Sequence, residues 1–510
     1  MSTTAENNKR IAKNTLLLYF RMLLTMVVSL YTSRVILQTL GVEDYGIYNV
    51  VGGVVTMFTF INSPMVTSTQ RYITYALGKG NFDLLRKTFS SAIQIHAIIS
   101  IIIIILSETV GLWFLYEKLI IPETRMFAAL VVYQCSIFSC IATVMSAPYN
   151  ADIIAHEKMS AFAYISILEV TLKLATVLLL RFLVFDKLML YAVLILCTHL
   201  IIRLVYVIYC NRHFEESKYY HVIEKPLLKE MSSFAGWSLF GSFSVICCNQ
   251  GTNLLLNTFF GPVVNAARGI ALSVESAITS FSYNFQTALR PQIIKTYAVG
   301  KLEEHLQLVF MTCKFSACLL MIISLPVILE TETILKLWLG EVPEHTVNFI
   351  RIILLLSIWD STAYPLATSI QAIGKIRTYQ IVISSTILLV LPISYLTLRY
   401  IAIPELASLI HFIIAVFAQI VRLLFLKAYI KLDIFQYINN IYIPIFFALI
   451  ISLSISYLLF GNSDISNIKL ILKIIVCVLM GLITSYLLVL NSKERRFINH
   501  IVATTINKMF

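Results

Sequence analysis

The chain has 510 residues, of which 58% are hydrophobic and only 13% charged, with a mean hydropathy of +0.84. A soluble globular protein carries about 25% charged residues. Half that charge over this length excludes water as the main solvent, and the net charge of +12 reads as a loop bias on one membrane face, with no nucleic-acid partner expected.

From the N-terminus, Met1–Lys13 is polar and basic. The long apolar run after it has no small-residue cleavage site, so the first span is expected to be retained. Apolar runs then follow at about 14–38, 46–66, 88–115, 126–147, 160–182, 188–210, 234–257, 263–284, 305–328, 346–366, 377–398, 402–425, 438–460 and 468–490. Each is near the roughly 20 residues that a spanning helix needs. The predicted fold class is an all-α polytopic membrane protein with about fourteen transmembrane helices. The second and eighth runs are interrupted by Gly, Asn and Ser.

The connections set the orientation. With the N-terminus cytoplasmic, one side collects 24 Lys and Arg residues, from Lys9 to Lys508, and the other 8, among them Lys118, Arg125 and Arg181. That bias predicts both termini in the cytoplasm. The nine cysteines lack CxxC or His/Cys ligand spacing, so they read as core packing, and neither metal nor cofactor is expected.

The chain repeats itself. Residues 70–79 (QRYITYALGK) match 292–301 (QIIKTYAVGK) at six of ten positions, each after the second span of its half. Pro148, Ala155 and Lys158 are echoed by Pro365, Ala372 and Lys375 near the end of each fourth span. Six spans separate the copies, so both face the same way, as in transporters built from parallel repeats. The expected organisation is an N-terminal six-helix lobe (1–210), a cytoplasmic linker (211–231), a C-terminal six-helix lobe (232–430), and two extra helices with a basic tail (431–510). Two such lobes can rock around a shared cavity and open it to alternate sides.

Ionisable residues inside spans are costly and should face a cavity or a partner. The cations are Arg21, Lys173, Arg203, Arg268 and Lys314, and the acids Glu169, Glu275 and Asp360, a basic excess of five to three. A low-dielectric cavity so lined is positive and suits a phosphate or diphosphate. Glu169 and Lys173, four apart on one helix, can instead neutralise each other. Arg203 can snorkel to the interface, and Arg21 and Arg268 can hold carbonyls. The three acids are candidates for ion coupling. Asn249, Gln250 and Asn253 are candidate glycan contacts, or helix–helix glue. His96, His199 and His411 read as core hydrogen-bonding groups. No Walker-type phosphate loop is present, so the chain is not expected to hydrolyse ATP, and no catalytic constellation marks an enzyme.

Residues 41–48 (GVEDYGIY), 236–241 (GWSLFG) and 257–269 (NTFFGPVVNAARG) resemble the polysaccharide transporters of the multidrug/oligosaccharidyl-lipid/polysaccharide exporter superfamily, which include bacterial O-antigen and capsule repeat-unit flippases. The resemblance covers about residues 10–430. It implies two six-helix lobes in a V, two extra helices, and a cationic central cavity. It further implies alternating-access transfer of undecaprenyl-diphosphate-linked oligosaccharide across the bacterial cytoplasmic membrane. The partners implied are that lipid-linked substrate, membrane lipids, and the polysaccharide polymerase and chain-length machinery. Related lipid II flippases place functional arginines on the first and eighth helices, which by helix position correspond to Arg21 and Arg268. The competing readings are a multidrug or organic-cation extruder of the same superfamily, which would want an acidic cavity; a membrane glycan polymerase or glycosyltransferase, which would need paired acids or a large loop; and a non-transporting scaffold.

Overall fold

The computed structural model describes residues 4–56, 62–117, 119, 121–180, 182, 185–218, 224–460, 467–492, 494–496 and 499. Lys118, Arg181, Lys493 and Lys508 of the charge pattern, part of the linker (219–223) and most of the basic tail lie outside the described residues. Their regular structure is all helical, with no strand among the described residues. The helices are α1 (Thr4–Thr56), α2 (Asn62–Lys79), α3 (Phe82–Glu117), α4 (Glu123–Ala155), α5 (Met159–Leu179), α6 (Lys187–His213), α7 (Lys225–Phe260) and α8 (Pro262–Ala298). There follow α9 (Leu302–Leu329), a short α10 (Thr331–Leu339), α11 (Thr346–Ile373), α12 (Arg377–Tyr400), α13 (Leu406–Ile430), α14 (Ile434–Ser456) and α15 (Leu470–Val489).

Where they are described, the apolar runs fall mainly on helices. Among the described residues, eleven helices are long and apolar enough to cross a membrane by length and composition. The first run contributes a shorter apolar helix, Asn14–Ser29. The second run (46–66) includes residues 57–61, outside the described residues, and the eighth, on α8, is too polar to qualify. For α8 the reason is structural: its polar residues form the wall of a cavity, described below. The protein is a multi-pass membrane protein.

The chain divides into two compact units, Met1–Leu239 and Phe240–Phe510. In the first, α4 is the central helix and packs against α1, α2, α3 and α6. Its Tyr133 is fully buried and donates a hydrogen bond to the Ser107 carbonyl of α3 at 2.7 Å. The motif at 41–48 has a visible task here. Gly41 takes φ 81°, breaking α1 between the first two runs. Asp44, three residues on, pairs with Arg125 at the start of α4. Arg125 also bonds Asp186 at 2.5 Å, and Asp186 caps α6 by accepting from the Leu188 and Met189 amides, both at 3.1 Å. Burial pushes the Asp186 carboxyl up, but the Met189 amide, the Arg125 guanidinium and the Leu188 amide outweigh it and hold it below its ordinary range.

In the second unit α8 packs against α9 and α11, and α13 covers α11 and α12. α15 lies along α9 and α14. Two buried ion pairs fix its direction: Glu330 after α9 pairs with Lys473 near the start of α15, and Lys314 within α9 pairs with Glu494 beyond its end, at 3.2 Å. The two helices therefore run antiparallel.

The backbone repeats more faithfully than the sequence. Gly41 and Gly261 share a left-handed conformation (φ 81° and 80°) and lie 220 residues apart. Gly80 and Gly300, which end α2 and α8, are likewise left-handed and 220 apart. The match of 70–79 to 292–301 is therefore displaced by two residues from the structural correspondence. The second echo keeps its register. Glu157 (φ 58°) and Gly374 (φ 89°) form the left-handed turns immediately before Lys158 and Lys375, 217 apart like Pro148 and Pro365.

Candidate functional site

The second unit carries an open cavity of about 700 Å³ walled mainly by α7, α8, α11 and α13. The contribution of α8 recurs at helical spacing: Arg268, Leu272, Glu275, Thr279, Tyr283 and Gln286. Opposite stand Asn249 of α7, Asp360 and Tyr364 of α11, and His411 and Arg422 of α13.

Arg268 is 3% exposed. Its guanidinium donates to the Asn253 side-chain carbonyl, to the Asn249 backbone carbonyl at 3.4 Å and to the Asn249 side-chain carbonyl at 3.5 Å. Two amides one helical turn apart on α7 thus orient a buried cation on α8. Glu275, two turns on from Arg268, accepts from the Ser357 hydroxyl at 3.4 Å.

The wall on α11 follows from one proline. Pro365 has no amide proton, so the carbonyl of Ser361 loses its intrahelical partner. Gln286 Nε2 replaces it at 2.8 Å. The helix is interrupted by a turn at Ser361 and Thr362, where Gln419 Nε2 donates to the Thr362 hydroxyl oxygen at 2.9 Å. Broken helices at membrane depth survive only where protein or a cavity satisfies the freed groups. Asp360 is the residue just before this break, at the cavity wall. Arg422 donates to Gln419 Oε1 at 2.9 Å and to the Tyr379 hydroxyl at 3.3 Å.

The structure thus brings Arg268, Asn249, Glu275 and Asp360 to one cavity, with Asn253 behind Arg268. Gln250 is exposed and accepts from Asn253 Nδ2 at 3.4 Å, outside the cavity lining. Lys314 is not at this cavity either. It is buried against Glu494, because a central lysine in α9 finds a carboxylate from the segment after α15. The remaining residues belong to the first unit. Lys173 bonds Glu169 at 2.6 Å, the pairing anticipated from their spacing. Arg21 donates to the Ser166 hydroxyl at 3.3 Å and lies 4.5 Å over the Phe162 ring. Arg203 is half-buried on α6.

At this cavity of the second unit the charges are balanced. Arg268 and Arg422 are matched in number by Glu275 and Asp360. Sequence reasoning missed Arg422 as a wall residue because it lies near the end of the apolar run 402–425. It also missed Gln286 and Tyr364. The signal for Gln286 was available: an amide at helical spacing from Arg268 and Glu275.

The helical architecture matches known transporter structures. The chain aligns with a MATE in the straight conformation at a TM-score of 0.71 and 14% identity, over 83% of this chain and 96% of that one. The Vibrio cholerae MATE transporter VcmN in its bent form gives 0.69 and 16%, over 84% and 98%. A MOP-superfamily transporter from Pyrococcus furiosus, described as having a binding pocket of reverse polarity that suggests a different function, gives 0.67 and 13%, over 84% and 99%. At these identities the likeness establishes the fold, that of the MATE transporters of the MOP superfamily. No family model and no curated relative matches the chain.

Proposed function

We propose that the chain is a membrane transporter, not an enzyme, that moves an anionic lipid-linked oligosaccharide across the bacterial cytoplasmic membrane by alternating access. The observation that carries this reading is the buried Arg268, held by Asn249 and Asn253 at a cavity rich in hydroxyls and amides. A guanidinium fixed in a low-dielectric wall suits bidentate phosphate contact. The surrounding Ser, Thr, Tyr and Gln side chains suit sugar hydroxyls. The sequence resemblance to polysaccharide transporters agrees, as does the precedent of the Pyrococcus furiosus relative with its reversed pocket polarity. Arg21 is the corresponding candidate in the first unit. Glu275 and Asp360 are the candidates for coupling to an ion gradient.

A specific observation favours a second reading. Glu275 and Asp360 place two carboxylates in the same cavity, which suits an organic cation, and a multidrug resistance MATE transporter in its outward-facing conformation shares the fold. Deletion in the host separates the two. Build-up of lipid-linked oligosaccharide on the cytoplasmic leaflet, restored to normal by the wild-type chain but not by Arg268→Gln, supports the flippase. Normal surface glycan together with lost export of a cationic dye supports the extruder and overturns the flippase.

A further inference from the structure

In the first unit three potential ligands converge at the end of α4. Asp152 and His156 are four residues apart and share one helix face. Glu216 comes from the turn that follows α6. Asp152 has no exposed surface and Glu216 is 5% exposed. The ligand atoms of all three lie within 4.8 Å of one another. His156 Nε2 is 2.5 Å from Glu216 Oε1 and 3.7 Å from Asp152 Oδ1.

Two features set this cluster apart from a surface ion pair. First, neither carboxylate oxygen of Asp152 has a hydrogen-bond partner among the described residues. A buried carboxylate is normally paired, hydrogen-bonded or bound to a metal. Second, the imidazole is held in place: it stacks on Phe214 at 4.1 Å and 10°. Its Nε2 faces both acids. The nearby cation Arg86 pairs with Glu215, the neighbour of Glu216, at 3.2 Å. A neutral imidazole with two carboxylates carries a charge of −2, which one divalent ion neutralises.

We propose that Asp152, His156 and Glu216 form a binding site for a zinc-type divalent cation, coordinated by His156 Nε2 and one oxygen from each carboxylate. The nitrogen donor selects a borderline transition ion over magnesium or calcium, which take oxygen ligands. Tetrahedral zinc, with a water as its fourth ligand and bonds of about 2.0–2.2 Å, separates its ligands by roughly 3.3 Å. The His156–Glu216 contact would open slightly and the His156–Asp152 gap would close. The donors bind as a neutral imidazole, with its proton on Nδ1, and two carboxylates, so any further proton they carry leaves when the ion binds. It would fasten the turn after α6 to the end of α4. The sequence concealed the site: Asp152 and His156 are adjacent turns, but Glu216 is sixty residues beyond His156.

The test uses the purified full chain in detergent, stripped with chelator and titrated with zinc, and separately with cobalt to read ligand geometry from its visible absorption. Wild type is expected to bind one equivalent, to show a tetrahedral nitrogen/oxygen cobalt spectrum, and to unfold at a higher temperature with zinc. Asp152→Asn, His156→Gln and Glu216→Gln should each weaken binding at least ~10-fold and abolish the thermal shift. Equal zinc uptake and equal thermal shift in wild type and Glu216→Gln would place the ion elsewhere and overturn the proposal. So would wild type that binds no zinc alongside an Asp152→Asn variant of equal or greater stability, which would mark Asp152 as a buried protonated acid. If Asp152→Asn fails to fold, Glu216→Gln with the cobalt spectrum decides the matter alone.

Discussion

Arg268 shows how a costly side chain is kept in place. Asn249 and Asn253 supply three carbonyl acceptors to its guanidinium, so the charge is oriented before any ligand arrives. Lysine keeps the charge but cannot span both amides. Under the flippase reading, Arg268→Lys should lower transport about tenfold, and Arg268→Gln should lower it further while leaving protein in the membrane. Paired measurement of transport and of folded protein by size exclusion checks this. Loss of folded protein in parallel with transport would reduce Arg268 to a structural group. The Arg125 cluster makes a separate prediction. The Asp186 carboxyl is held below its ordinary value, so its stabilisation is complete above about pH 4 and is lost as pH falls through its lower folded value. Asp186→Asn keeps the cap on α6 but removes this contribution. Thermal unfolding between pH 7 and pH 3 should therefore fall less steeply in the variant than in wild type.

At the level of helices, two devices answer a membrane's demand that polar groups find partners. One is the break in α11, where Gln286 takes the place of the amide that Pro365 lacks. Gln286→Leu leaves the Ser361 carbonyl bare and should cost about 1–3 kcal/mol. Gln286→Glu, protonated, should recover part of it, as read by denaturation in detergent. The other device is the pair of ion bridges along α15. Removing one charge from the buried Lys314–Glu494 pair should cost about 3–5 kcal/mol, whereas Lys314→Met with Glu494→Leu should restore most of that loss. A double variant no more stable than the singles would contradict the pairing.

These elements also show what the sequence could and could not convey. Hydropathy located the long apolar helices, because it acts locally, but not the short α10 (Thr331–Leu339), which falls between two runs. The polar character of α8 was visible as an interrupted run, though its meaning was not. Only the fold shows that Arg268, Glu275, Thr279 and Gln286 face one cavity. The fate of Lys314 was hidden for a similar reason. Its partner Glu494 is 180 residues away, and no periodicity links them. The repeat was found in the sequence, with a two-residue displacement in its first copy, because left-handed glycines mark equivalent points more reliably than matched side chains.

For the whole molecule, the account is of a MATE-like helical fold carrying an oriented arginine and two carboxylates in one cavity of its second unit. Under the proposed function the cargo's anionic head meets that arginine, and the two acids are the candidates for coupling. The most direct measurement is protein-dependent transfer of a fluorescent polyprenyl-diphosphate oligosaccharide across proteoliposomes, with wild type beside Arg268→Gln and Glu275→Gln with Asp360→Asn. The account predicts transfer by wild type, almost none by Arg268→Gln, and loss of its dependence on an imposed ion gradient in the double acid variant. Equal transfer by wild type and Arg268→Gln, or none by wild type while a cationic dye is moved, would contradict it.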